Sequence, residues 1–183
     1  HPAPPREELR ADLSFLGNRL PDREARVEDF FFGALTAAPR RRFLLGGNGW
    51  EDRAPAHANL RYLGHVSPRD HNALNCSALS VLNVSRDSMA ANGFSPATRV
   101  FEAAGAGACL ITDSWEGIDE FLEPETEVLV ACDGTQVAAL LDGLDPARAR
   151  RIGEAARARV LDRHTYADRA AQVEALLTAG VAA

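Results

Sequence analysis

Short, almost wholly apolar runs alternate with longer stretches of helical periodicity, and this alternation restricts the fold more than any other feature of the chain. The runs are Leu13–Gly17, Phe43–Gly46, Leu60–Gly64, Leu79–Val84, Ala108–Thr112 and Val128–Ala131. Strands that are apolar on both sides belong in a sheet covered on both faces, which in practice is a parallel sheet joined by crossover helices. The pattern predicts an α/β fold: a Rossmann-like parallel sheet of about six strands with helices on both faces. Helices are expected over 22–37, with Asp22 as N-cap and Pro39 beyond the end, and from Ser67-Pro68 to about residue 76. Others are expected over 95–106, again opened by Ser95-Pro96, and along the tail from 135, with breaks near Gly143–Pro146 and near His164. Gly105-Ala106-Gly107 precedes a strand and reads as a helix C-cap. Residues 1–11, with three prolines and several charges, read as a linker or lead-in from an upstream domain. Residues 12–183 read as one domain whose helical tail begins near 146.

Composition removes several classes of function. The chain has 183 residues, enough to bury a core without a metal or disulfide staple. Its 26 acids against 20 bases give a net charge of −6, the wrong sign for coating nucleic acid. No apolar run approaches the roughly 18 residues of a membrane-spanning helix. Every basic residue is arginine, so mechanisms that need a lysine Schiff base or a P-loop lysine are excluded. Three cysteines, at 76, 109 and 132, are too scattered for a zinc site or a disulfide framework. The expected home is a reducing cytoplasm. No HExxH motif or paired metal-ligand spacing is present, and no metal or cofactor is expected.

Ligands of open parallel sheets bind outside the carboxyl ends of the strands. The candidate loops are therefore 17–22, 46–56, 64–67, 84–95, 112–118 and 131–135. A dinucleotide fingerprint is absent, because the first strand is followed by one glycine only, in Gly17-Asn18-Arg19-Leu20. The most informative segment is Gly93 to Gly107. On a helical wheel of about 100° per residue, Thr98, Arg99 and Glu102 fall on the same side as Ser95, while alanine, valine and phenylalanine occupy the rest. The helix start would lie at the ligand end of the sheet, where free N–H groups and the helix dipole favour an anion. Arg99 would add charge-assisted hydrogen bonds, and Glu102 suits paired hydroxyls such as a ribose diol. The alternative is an ordinary Arg99–Glu102 pair on a solvated face. Gly17-Asn18-Arg19 and Arg86 are further candidates for a phosphate, and Gly64-His65-Val66 for a flat base; each reads equally well as a plain turn or exposed charge. Trp50 and Trp115 fit the edge of the core better than a ligand stack, and His71 and His164 fit structural roles.

Taken together, Arg99-Val100-Phe101-Glu102-Ala103-Ala104-Gly105-Ala106-Gly107, the following strand with Asp113, the opening Asp12–Asn18 and the closing His164-Thr165-Tyr166 with Arg169 resemble the carboxyl-terminal half of GT-B glycosyltransferases. Glu120-Phe121 with Glu127-Val128-Leu129 agrees with this, and the nearest likeness is to the CgeB-like (spore maturation protein) group. The resemblance implies one of two Rossmann-like halves. This half would hold a nucleotide-sugar donor, a UDP-sugar being favoured, and a separate amino-terminal domain would hold the acceptor. It also implies Glu102 on the ribose, Phe94-Ser95-Pro96 near the diphosphate or sugar, Gly17-Asn18 facing the diphosphate, and His65-Val66 beneath the base. Many retaining relatives carry a Glu-x7-Glu pair, whose first position here is Phe94. The lysine often found on the phosphates has no counterpart, so Arg99, Arg86 or Arg19 would substitute. Alternative expectations are a GT-B-like epimerase acting on the same donors, or a non-catalytic interaction module.

Overall fold

The computed structural model describes residues 2–181. Six strands, β1 (Leu13–Leu16), β2 (Phe43–Gly46), β3 (Leu60–Tyr62), β4 (Ser80–Asn83), β5 (Leu110–Asp113) and β6 (Leu129–Ala131), form one sheet. Every pairing is parallel and the spatial order is β3-β2-β1-β4-β5-β6. Each expected strand is present: β2 has the expected bounds, β5 starts two residues later and ends one later, and the others are trimmed by a residue or two. Strands β1, β2, β4 and β5 are buried along their whole length, as continuous apolar runs require, whereas the edge strand β3 is only partly covered.

Among the described residues there are eight α-helices: α1 (Glu24–Val27), α2 (Gly33–Ala37), α3 (His71–Ser77), α4 (Asp87–Asn92), α5 (Thr98–Gly105), α6 (Gly134–Asp142), α7 (Pro146–Arg163) and α8 (Tyr166–Val181). On one face α2 packs against α6 over Phe15, Phe31, Phe43, Leu82 and Ile111. On the other face α5 packs against α7 over Val81 and Leu110, and α3 lies over Leu16 and Leu44. Trp50 and Trp115 are both core residues, not ligand stacks. The chain before β1 lies along α3, with the Arg6 N–H donating to Ser77 Oγ at 2.8 Å and Leu9 buried.

Several boundaries differ from the sequence reading, each for a physical reason. The helix expected from 22 starts at Glu24 with Arg23 in the cap position, because Asp22 turns its backbone carbonyl to the Asp87 N–H. It runs on to Ala37, but Glu28–Phe32 is wound as a π-helix. Ser67 does precede a proline-led turn, but that turn is 3-10 helix over Pro68–Asp70, before α3. The helix expected from Ser95 begins at Thr98, with Ala97 as its cap residue. Residues 93–97 are held instead by a bond from the Phe94 N–H to the Glu116 carbonyl. Helix α4 lies in a stretch read as loop. The C-cap reading holds: Gly107 has φ +76°, its N–H donates to the Ala104 carbonyl, and the Ala108 N–H donates to that of Ala103, the paired bonds of a Schellman motif.

His164 closes α7 between the rings of Phe101 and Phe121, both at 5.7 Å. Arg169 Nη2 lies 2.6 Å from its Nδ1, so the imidazole accepts there and must be neutral at that atom. Burial, with Arg169 adding to it, holds the His164 pKa below its ordinary value. The unfolded chain therefore binds this proton more readily, and stability is lost as pH falls below about 6.5. Between pH 7.5 and pH 5 the melting temperature should fall more in the wild type than in His164→Phe. Parallel pH profiles of the two proteins would exclude this role.

Candidate nucleotide-diphosphate site

The carboxyl ends of β1 and β4 are neighbours in the sheet, but their connections leave to opposite faces: β1 feeds α1 on one side, and β4 leads through α4 to α5 on the other. Such a reversal opens a crevice above the strand ends. The loops that line it place three arginines near one another.

Arg23 follows β1. Its Nη2 donates to the Asn18 carbonyl, and its guanidinium lies over the Phe15 ring, 5.5 Å from the centroid. Burial pushes its pKa below the ordinary arginine value, and the positive charges of Arg86 and Arg99 push it the same way, against Asp22. Arg99, in the first turn of α5, is 15% exposed at its side chain. Burial lowers its pKa too, opposed by Glu102. Arg86, exposed in the cap position of α4, makes a long contact to Asp22, at 3.9 Å. Among the described residues, the Nε atoms of Arg19, Arg23, Arg26, Arg99 and Arg157 are buried without a hydrogen-bond acceptor, and Arg99 adds its Nη1 to them. Arg99 Nη1 lies 3.2 Å from Glu102 Oε2, an ionic contact without hydrogen-bond geometry. Buried, cationic donors that lack acceptors create a demand for an anion. Helix α5 adds to it, since no side chain caps its first N–H groups.

Arg23 was not legible as a site residue, because in sequence it reads as one more charge at a helix start. The other candidates are spread around the same crest. Gly17 and Asn18 form the turn above β1: Asn18 Oδ1 accepts from the Asn48 N–H at 2.9 Å, and the Gly17 carbonyl from Trp50 Nε1 at 2.8 Å. Arg19 is engaged by Glu24, with Nη2 2.7 Å from Oε2. His65 is exposed on the turn after β3, while Val66 packs towards Leu16 and Gly46, and its carbonyl faces His71 Nε2 at 3.3 Å. Phe94 is exposed and Ser95 half-buried on the loop before α5, and Thr98 is exposed at its first position. Glu102 is 43% exposed, one turn beyond Arg99 on the same side of α5. The i,i+3 pair of Arg99 and Glu102 therefore exists, but its cationic member is buried at the crevice, not on a solvated face.

A second buried feature braces this end of the sheet. Asp113, at the carboxyl end of β5, is fully buried. Its carboxylate accepts from the Ser85 N–H at 3.1 Å on both oxygens, from Ser85 Oγ at 3.1 Å and from Thr112 Oγ1 at 3.2 Å. Arg26 Nη2 closes the network at 2.6 Å. It thus joins β5, the residue before Arg86, and the helix that follows Arg23. Among the described residues, no group of three histidine, cysteine or acidic side chains is placed to hold a metal, and no helix is long and apolar enough to cross a membrane.

A doubly wound sheet of this strand order, with cations at its switch point, is a nucleotide-binding type of α/β domain. The glycosyl transferase-like family model matches residues 23–175, and the chain belongs to that family. No curated protein matches it. The sheet is that of a GT-B domain. It superposes on sucrose-phosphate synthase from Thermosynechococcus elongatus with a TM-score of 0.71 at 17% identity, covering 93% of this chain and 45% of the other. It superposes on HepE from Anabaena, solved with UDP-glucose, with a TM-score of 0.71 at 16% identity, covering 91% and 48%. The C-terminal domain of a group 1 glycosyltransferase, LpcC from Francisella tularensis, gives 0.68 at 13% identity, covering 91% and 96%. The chain spans about half the length of the first two proteins.

Proposed function

We propose that this chain is the donor-binding half of a nucleotide-sugar-dependent glycosyltransferase of the CgeB-like group, working with an acceptor-binding domain. The observation that carries the proposal is the pair of buried guanidiniums, Arg23 and Arg99, with N–H groups left without acceptors at the switch point of the sheet. A pyrophosphate supplies several acceptor oxygens and compensating charge in one group. Arg23 takes the place of the phosphate lysine that the chain lacks, joined by Arg99 and the more exposed Arg86. Glu102, one turn deeper, accepts from the ribose hydroxyls, and the turn at His65-Val66 supports the base. A UDP-sugar is the favoured donor, a reading supported by the UDP-glucose held in the HepE structure. Three free thiols suit a reducing cytoplasm.

The chemistry is positional and electrostatic. As the glycosyl bond breaks, negative charge grows on the departing diphosphate, and fixed N–H groups already aimed there lower the barrier. The chain's part is to hold the donor and neutralise the leaving group. Isothermal calorimetry with UDP, GDP and dTDP on wild type and Glu102→Ala tests this. Wild type should bind at least one of them. Glu102→Ala should weaken that binding roughly tenfold, the effect of losing a charge-assisted hydrogen bond. Equal affinities would remove Glu102 from the ribose, and no binding by wild type would overturn the donor site itself.

A further inference from the structure

Phe94 combines features that its surroundings do not require. It has φ +46°, in the left-handed region that a bulky residue adopts only under constraint. It is nevertheless 51% exposed, so core burial does not repay the strain. The constraint comes from the loop after β5. The Phe94 N–H donates to the Glu116 carbonyl at 2.6 Å, and the ring lies directly on Gly117. A Cβ at Gly117 would stand 2.9 Å from the ring Cγ and nearer still to two other ring carbons. Gly117, with φ +86°, is thus a bare seat that only glycine provides. Two loops cooperate to hold one aromatic face outward. The chain also places it: Phe94 sits on the connection between α4, which Arg86 caps, and α5, which carries Arg99. Along the chain Phe94 thus falls between Arg86 and Arg99, on the loop that leads into the first turn of α5.

We infer that Phe94, seated on Gly117, is a stacking platform for the sugar of the donor and selects a pyranose that turns a face of C–H bonds toward it. This rests on the donor reading above. A phenyl ring offers no hydrogen bond to hydroxyls, but its π face packs well on an apolar face of axial C–H bonds or on the methyl group of a deoxy sugar. The contact is made to the transferred group and not to the nucleotide, so it separates affinity for the nucleotide sugar from affinity for the nucleotide alone.

The test is a calorimetric titration of UDP and dTDP beside UDP-glucose, UDP-galactose and dTDP-rhamnose into wild type, Phe94→Gly, Phe94→Tyr and Gly117→Ala. Wild type should bind at least one nucleotide sugar more tightly than its nucleotide. In Phe94→Gly that advantage should shrink by roughly three- to tenfold, the range of an aromatic contact, with the nucleotide unchanged. Phe94→Tyr should restore it, and Gly117→Ala, which displaces the ring, should lose it. Glycine also relieves the backbone, so Phe94→Gly should melt no earlier than wild type, whereas a residue kept for stability would melt earlier. Equal losses for nucleotide and nucleotide sugar, or no loss for either, overturn the platform while leaving the diphosphate site in place. Failure of wild type to bind any nucleotide overturns both.

Discussion

Asp113→Ala is expected to unfold the chain more readily than a change at any exposed position of the crevice. The substitution removes the carboxylate at the centre of a largely buried network. It leaves the Ser85 N–H and hydroxyl and Thr112 Oγ1 without their acceptor, while Asn83 Nδ2 loses a 3.4 Å contact and keeps Thr112 Oγ1 at 3.0 Å. Arg26, three-quarters buried, loses its 2.6 Å partner and keeps only a distant contact to Asp87, at 3.9 Å. Breaking a buried pair from one side costs about 3–5 kcal/mol, because the remaining charge is left largely desolvated. For a chain of this size that is a fall in melting temperature of roughly 6–20 °C. Asp113→Asn keeps one acceptor oxygen and the shape, and should fall between the two proteins. Differential scanning calorimetry decides the matter: a loss below about 1 kcal/mol for the alanine variant would mean that water replaces the carboxylate, contrary to its complete burial.

The second large effect concerns binding. Arg99→Ala and Arg23→Ala should each weaken nucleoside-diphosphate affinity by roughly ten- to a hundredfold, since each removes charge-assisted bonds of about 1.5–3 kcal/mol. The double variant should show no measurable binding. Fold stability should move the other way or little at all. Both guanidiniums are desolvated, and Arg23 also feels the like charges of Arg86 and Arg99, so truncating either removes an unfavourable term from the empty protein. Loss of function with unchanged or raised melting temperature is the signature of a site kept at the expense of stability. Arg86→Ala, at an exposed side chain, should cost less than either and should fade as salt is raised. Parallel losses of affinity and stability in Arg99→Ala would instead mark it as a structural residue.

The architecture was legible because its signal is local. Doubly buried strands must be continuous apolar runs, and Phe43-Leu44-Leu45 or Leu110-Ile111 can be little else. The order of those strands is not written locally, since it depends on which helix crosses which face. The element Asp87–Asn92 escaped because Asp-Ser-Met-Ala-Ala-Asn carries no apolar periodicity, and none of its residues is buried. Ser95-Pro96 gave a false helix start: the long-range bond from Phe94 to Glu116 outweighs a capping signal. The candidate site was half legible. Arg99 and Glu102 stood out as a narrow polar stripe on an apolar helix. Arg23 and Asp113 did not, because their roles arise from partners distant in sequence. Asp113 meets Arg26 across 87 positions of the chain. Phe94 was visible as a departure from a two-glutamate pattern, but its seat on Gly117 exists only in the folded loops.

A crystal structure of the chain soaked with UDP bears most directly on all of this. The account predicts the diphosphate within hydrogen-bonding distance of the Arg23 and Arg99 guanidiniums, above the first turn of α5, with the ribose hydroxyls on Glu102. Nucleotide bound at any other part of the surface, or an Arg99 still turned to Glu102 with the ribose elsewhere, would contradict it.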